Sequence, residues 1–235
     1  MEPARDPDAT RTIGLIGGLA FRAGVFYYEQ IIRRYAMDGR VPKVLLSHAD
    51  VGAVLAHVAS GDKAGLGAYL AGLANQLFDA GADLVAVTAV APHIAADELQ
   101  RAARGPIVNV LDAIAGGLAT AGFDRVAVFG NRVVMDTDLF GSVGKDRVVR
   151  LAPAQVETVH ATYSDIALNG KRGTHPESEI LGGIARDLLD GSGAQAILLA
   201  GTDLSSFYAD AAPDYPSIDV ARLHIDEIMR RATSR

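Results

Sequence analysis

Short, uninterrupted apolar runs, each closed by a polar or glycine-bearing turn, constrain this chain most. They are Ile13–Ile16, Val44–Leu46, Leu84–Val87, Val126–Phe129 and Ala196–Leu199. A strand wetted on one face alternates apolar with polar residues. A run that is apolar throughout suits a parallel strand covered on both faces. Between the runs, apolar residues recur at helical spacing over Gly24–Tyr35, Gly67–Ala80, Asp112–Ala121, Gln155–Leu168, Glu177–Leu189 and Asp219–Ala232. Strand and helix in alternation predict an α/β fold with parallel sheets and right-handed crossovers.

Two echoes predict that this plan is built twice. Phe78 to Val85 is a helix end, a glycine stop and a buried strand, and Leu189 to Ile197 repeats it. Thr12 to Gly17 and Asp124 to Gly130 are both strands that run into glycine. Two similar lobes are therefore expected, with one six-stranded sheet as the alternative. No low-complexity linker marks a boundary, and Gly170 to Pro176 is the most breaker-rich loop.

Composition removes several function classes. The apolar fraction of 49% and charged fraction of 21% exclude wholesale disorder. Lys and Arg total 22 against 28 Asp and Glu, without a basic block, which argues against nucleic acid or anionic membrane as partner. There is no cysteine, hence no disulfide, thiolate metal site or thiol nucleophile. The longest apolar run, Leu84 to Ala96, is broken by Pro92 and His93 and is too short to span a bilayer. Met1 to Thr12 is charged and lacks an apolar signal core, so a cytoplasmic protein with a small-molecule substrate is expected.

Ligands of open α/β sheets bind beyond the carboxyl ends of strands. Here those ends carry Gly17 to Gly24, Ser47 to Asp50, Thr88 to His93, Gly130 to Arg132 and Ala200 to Phe207. Gly17-Gly18 reads as a phosphate-binding turn or a plain tight turn, without the dinucleotide glycine pattern or a Walker lysine. His93 reads as an acid/base or anion contact, or as a structural histidine. Asp203 and Asp50 read as functional carboxylates or as helix N-caps. His48 has no second ligand at metal spacing, and Ser205-Ser206 lacks a nucleophile elbow.

Thr12 to Leu19 followed by Tyr27-Tyr28, Lys43 to Asp50, Ala82 to His93 with Ala96-Asp97, Ala194 to Asp203, and Asp219 with His224 together resemble the aspartate/glutamate racemase superfamily. The resemblance runs in order along nearly the whole chain. It implies an α/β fold of two Rossmann-like lobes with parallel sheets, pseudo-two-fold symmetry and a cleft between them. It assigns residues 1–113 to an N-terminal lobe completed by a C-terminal helix at 219–235, and 114–218 to the second lobe. It also implies that no cofactor or metal is needed, and a homodimer.

The departures matter more. The family motif Cys-Asn-Thr-x-His reads Ala89-Val90-Ala91-Pro92-His93 here, and Gly-Cys-Thr-Glu reads Ala200-Gly201-Thr202-Asp203. Both cysteine positions therefore hold Ala89 and Gly201. The family's hydroxyls after the first strand fall near Ala20 and Gly24, and those after the Val126 strand near Asn131 and Val134. Cofactor-free racemisation needs a base on each face of the reacting carbon. Ala and Gly carry no titratable proton, so two-thiol racemisation and one-thiol decarboxylation are both rejected.

The lost polar groups, with Gly24 and Gly201, predict a roomier, more apolar pocket lined by Leu19, Phe21, Val90, Pro92 and Phe207. The expected function is a repurposed, cofactor-independent enzyme acting on a larger, partly apolar carbonyl or carboxylate substrate by isomerisation, cyclisation or elimination, of the kind found in specialised metabolism. His93 is the expected acid/base, partnered by Asp203 or Asp50. Arg22 is the expected anion holder. Thr88, Thr202 and Ser205 would donate hydrogen bonds, with Leu19, Phe21, Ala89, Val90, Asn131 and Gly201 as further substrate contacts. The alternatives are a non-catalytic ligand-binding pseudoenzyme and an amino-acid racemase that uses bases other than cysteine.

Overall fold

The computed structural model describes residues 10–19, 22–173 and 176–233. Ala20 and Phe21, expected beside the pocket, lie outside the described residues, as do Thr174 and His175.

The five apolar runs are strands, and two shorter strands join them. One sheet contains β1 (Ile13–Gly17), β2 (Val44–His48), β3 (Leu84–Val87) and β4 (Ile107–Val108), in the order β2-β1-β3-β4. The other contains β5 (Val126–Phe129), β6 (Ala196–Leu199) and β7 (Ser217–Asp219), in that order. Every pairing is parallel. Ile13 lies between Val44 and Leu84 in the first sheet, and Leu199 sits beside Phe129 and Asp219 in the second. The separate sheets replace the six-stranded alternative. Strands β1, β3, β5 and β6 are buried along their whole length, which is why their sequences do not alternate.

The crossover helices obey their apolar spacing. In α1 (Ala23–Met37), Tyr27, Ile31 and Tyr35 recur every fourth residue and are buried. Between β2 and β3 lie α2 (Val51–Ser60) and α3 (Lys63–Asp79), the latter burying Leu66, Leu70, Ala74 and Leu77. A 3-10 turn (Ala91–Ala95) and α4 (Ala96–Ala102) follow β3. Helix α5 (Val110–Ala121) starts at Asn109, whose side chain accepts from the Leu111 amide, and stops at Gly122 in left-handed conformation. After β5 come α6 (Arg132–Asp136), α7 (Pro153–Asn169) and α8 (Pro176–Gly191). The short α9 (Thr202–Phe207) follows β6.

The last helix, α10 (Val220–Thr233), returns to the first sheet. Its Ala221, Ile225, Ile228 and Ala232 share one core with Ile13, Leu15, Ile31, Leu84 and Val108. The second sheet has its own core, centred on β5 and β6 with Ile114, Val159, Leu181 and Phe207. Val90 and Ala91, which directly follow β3 of the first sheet, pack into this second core. The chain segment beyond β3 is thus clamped between the two halves.

Candidate functional site

The carboxyl ends of β3 and β6 meet across the two sheets. The Thr202 hydroxyl, at the start of α9, donates to the Thr88 carbonyl at 2.9 Å. The Thr88 hydroxyl in turn donates to the Ile16 carbonyl of β1 at 3.0 Å. Three strand ends are therefore tied together by two buried threonines, and the positions of the absent thiols, Ala89 and Gly201, flank this tie. Gly18 turns with φ +80° between β1 and α1, a conformation glycine adopts without steric cost.

The room expected at Gly201 and Gly24 is not there. A Cβ built on Gly201 would overlap Cε2 of Tyr163 and stand 2.9 Å from both Cζ and Oη of that ring. A Cβ on Gly24 would meet the Gly17 Cα at 3.2 Å. Both glycines serve close approach: one admits a phenol from α7, the other lets α1 lie against β1. Val90, Pro92 and Phe207 are buried within the packing and do not line an open pocket. Leu19 and Ala89 keep partial exposure.

Asp203 is the second residue of α9 and does not cap it; Gly201 occupies the N-cap position. Its carboxylate is buried and accepts a hydrogen bond from the Tyr163 hydroxyl at 3.0 Å. Burial pushes the Asp203 carboxyl above the usual carboxylate range, and the phenol's bond only partly opposes this. The Tyr163 phenol is pushed up in turn, by burial and then by the neighbouring Asp203 charge. The phenol therefore keeps its proton and offers it to the carboxylate as a hydrogen bond.

His93 lies in the 3-10 turn after β3, 3% exposed. Its Nδ1 sits 2.9 Å from the Ala89 carbonyl, which can only accept, so Nδ1 carries the proton. Its Nε2 is buried without a partner. The ring meets His224 edge to face at 5.9 Å between centroids. His224 donates from Nε2 to the Val108 carbonyl at 2.8 Å and accepts at Nδ1 from the Tyr27 hydroxyl at 2.9 Å. Burial holds His93 at about 4 and His224 at about 3, so both are neutral at physiological pH. A histidine of pKa about 4 is poorly matched to proton transfer near neutrality.

Other expected residues lie apart from this centre or point away from it. Asp50 is exposed and caps α2, accepting from the Gly52 amide at 2.8 Å. Asn131 caps α6 by accepting from the Val134 amide at 3.0 Å. Ser205 donates to Asp219 at 2.7 Å. Arg22, just before α1, reaches from the first half to the second and donates to the Gly170 carbonyl at 3.3 Å. Among the described residues, no three His, Asp or Glu side chains are grouped to hold a metal ion, and no helix is long and apolar enough to cross a membrane. A surface groove of about 270 Å³ lies between α5 and α10, lined by Asp112, Gly116, Leu223 and Glu227.

Sequence reasoning missed Tyr163. It sits mid-helix in α7, far along the chain from Asp203, and no local motif marks it. Tyr27 and His224 were visible as parts of the family pattern, but nothing in their spacing announced that they bond to each other.

The Asp/Glu/hydantoin racemase family matches residues 16–228. A candidate Asp/Glu racemase from Yersinia pestis superposes with a TM-score of 0.80 at 23% identity, covering 95% of this chain and 100% of that one. An aspartate racemase homologue from Pyrococcus horikoshii gives 0.79 at 21% identity, with coverage of 95% and 100%. A mutant of arylmalonate decarboxylase gives 0.53 at 13% identity, with coverage of 96% and 93%. At these identities the structures share the fold, and the fold carries more than one chemistry.

Proposed function

Because the chain belongs to the Asp/Glu/hydantoin racemase family, we propose that it is a cofactor-independent enzyme of that family in which two-faced thiol chemistry has been replaced by acid/base chemistry on one face. The substrate is a carbon acid, with the reacting carbon next to a carbonyl or carboxylate. The reaction is an isomerisation, cyclisation or elimination that begins or ends with transfer of one proton. The observation that carries the reading is the asymmetry of the two thiol positions. Ala89 presents only a methyl group, whereas Gly201 is covered by a phenol bonded to a buried carboxyl.

Several residues support the reading in lesser roles. Arg22 reaches across the halves, and a guanidinium offers five N–H donors, enough to hold a carboxylate while bonding Gly170. Leu19 and the Tyr163 ring offer apolar surface to a substituent larger than that of a small diacid. Thr88 and Thr202 hold the strand ends in register and serve as positioning residues. His93 supports the turn behind Ala89 through its bond to the Ala89 carbonyl.

The test is deuterium incorporation followed by NMR in heavy water. The panel holds aspartate, glutamate, small diacids, and larger aryl- or alkyl-substituted carbonyl acids. Incorporation on one face of a larger acid, with configuration kept, is the expected result. Racemisation of aspartate or glutamate refutes the one-faced reading. A ligand-binding protein without turnover is the second reading, favoured by the bare Ala89 and the low pKa of His93. It requires a panel member to raise Tm with no incorporation at all. A ligand at 100 times its Kd stabilises by about 2.7 kcal/mol, enough to see.

A further inference from the structure

Space, orientation and proton chemistry converge at Gly201. The Oη of Tyr163 stands 2.9 Å from the point where a side chain at 201 would begin. The group that fills a thiol's place is therefore itself a proton donor. Its ring arrives from α7, so the glycine and the phenol are complementary across two elements: the ring fits only because residue 201 has no Cβ. Its hydroxyl bonds to Asp203 Oδ2 at 3.0 Å. Tyr163 keeps partial exposure while Asp203 is only 4% exposed. Of the pair, Tyr163 is the residue that keeps accessible surface, and the Asp203 carboxyl lies behind it.

We propose that Tyr163 is a catalytic residue that replaces the absent second thiol, with Asp203 behind it as the positioning residue and proton reservoir. This rests on the enzymatic reading of the site given above. In the deprotonating direction, the C–H bond of the substrate breaks and its electron pair passes to the adjacent carbonyl as an enolate. The released proton goes to Oη of Tyr163 while the phenolic proton passes to Oδ2 of Asp203. The pair ends as a neutral phenol and a neutral carboxylic acid. The protonating direction is the reverse: the phenol gives its proton to the enolate carbon and takes one from Asp203, which ends as a carboxylate. No oxidant, metal or covalent intermediate enters either direction.

The test uses Tyr163→Phe, which keeps the ring in the Gly201 notch and removes only the hydroxyl, and Asp203→Asn. Deuterium incorporation into the best substrate of the panel is measured with the full chain. Tyr163→Phe is expected to lower kcat by roughly 10²–10⁴-fold with KM within a few-fold of wild type. Wild-type kcat in Tyr163→Phe with loss in Asp203→Asn overturns the assignment and places the transfer on Asp203 alone, leaving the enzymatic reading intact. No incorporation by the wild type into any acid overturns the enzymatic reading, and this assignment with it.

A second measurement does not depend on activity. Gly201→Cys places its Cβ inside the Tyr163 ring and is expected to melt below wild type. The double variant Tyr163→Ala/Gly201→Cys is expected to melt above Gly201→Cys, with its thiol open to iodoacetamide. Gly201→Cys as stable as wild type would show that the phenol does not hold the thiol's place.

Discussion

Lowering the pH should unfold this protein through two buried histidines, and the loss can be worked out. In the unfolded chain each titrates near 6.5. In the fold, His93 is held at about 4 and His224 at about 3, chiefly because burial disfavours the charged ring. The folded state therefore binds fewer protons than the unfolded state below 6.5. Stability is full above that value and falls as the pH drops toward the folded pKa values. Between pH 8 and pH 5 each ring contributes a loss of about 2 kcal/mol, about 4 kcal/mol together. His224 is also lowered by the charge His93 would carry, so the two do not protonate independently and the sum is an upper figure. Glu227 opposes the shift of His224 and Arg231 adds to it, both less than burial does. The buried carboxyls Asp203 and Asp219 are raised by burial and gain protons as pH falls, which works the other way. A difference measurement isolates the histidine effect. Urea unfolding at pH 8 and pH 5 should show wild type losing about 2 kcal/mol more than His93→Leu across that interval. Equal losses in the two proteins would refute a buried, neutral His93.

Two further outcomes test the packing around the site. Tyr27→Phe leaves Nδ1 of His224 buried and unpaired, which should lower stability by about 1–3 kcal/mol in urea unfolding. Ile225→Ala opens a cavity between α10 and β1 and should cost about 2–5 kcal/mol by the same assay, whereas a loosely attached C-terminal helix would lose less than about 0.5 kcal/mol.

The sequence made most of the scaffold legible because strand burial and helix faces leave local signatures. All five apolar runs are strands within two residues of their expected ends, and the six periodic segments are helices. It missed β4 and β7, which have two and three residues, too few for any period to show. It did not single out α2, whose ten residues are nearly all apolar but bury only Val54.

The site was legible in its losses more than in its gains. From Ala89 and Gly201 alone it follows that no thiol chemistry is possible, because a methyl group and a hydrogen cannot exchange protons with a substrate. That exclusion needs no coordinates. What stands in the emptied places is a different matter. Gly201 reads as added room, yet Tyr163 fills it. Asp50 and Asp203 read alike, yet one caps an exposed helix and the other is buried against a phenol. Likewise His93 reads as a candidate base until His224, 131 positions away, is found beside it in a buried interior. Periodicity and composition are set by neighbours in the chain, so the sequence by itself determined the strands, the helices and the absent chemistry. The partners of Gly201, Asp203 and His93 are set by how α7 and α10 lie across the sheets, and side-chain pKa values follow burial, so only the tertiary structure decided them.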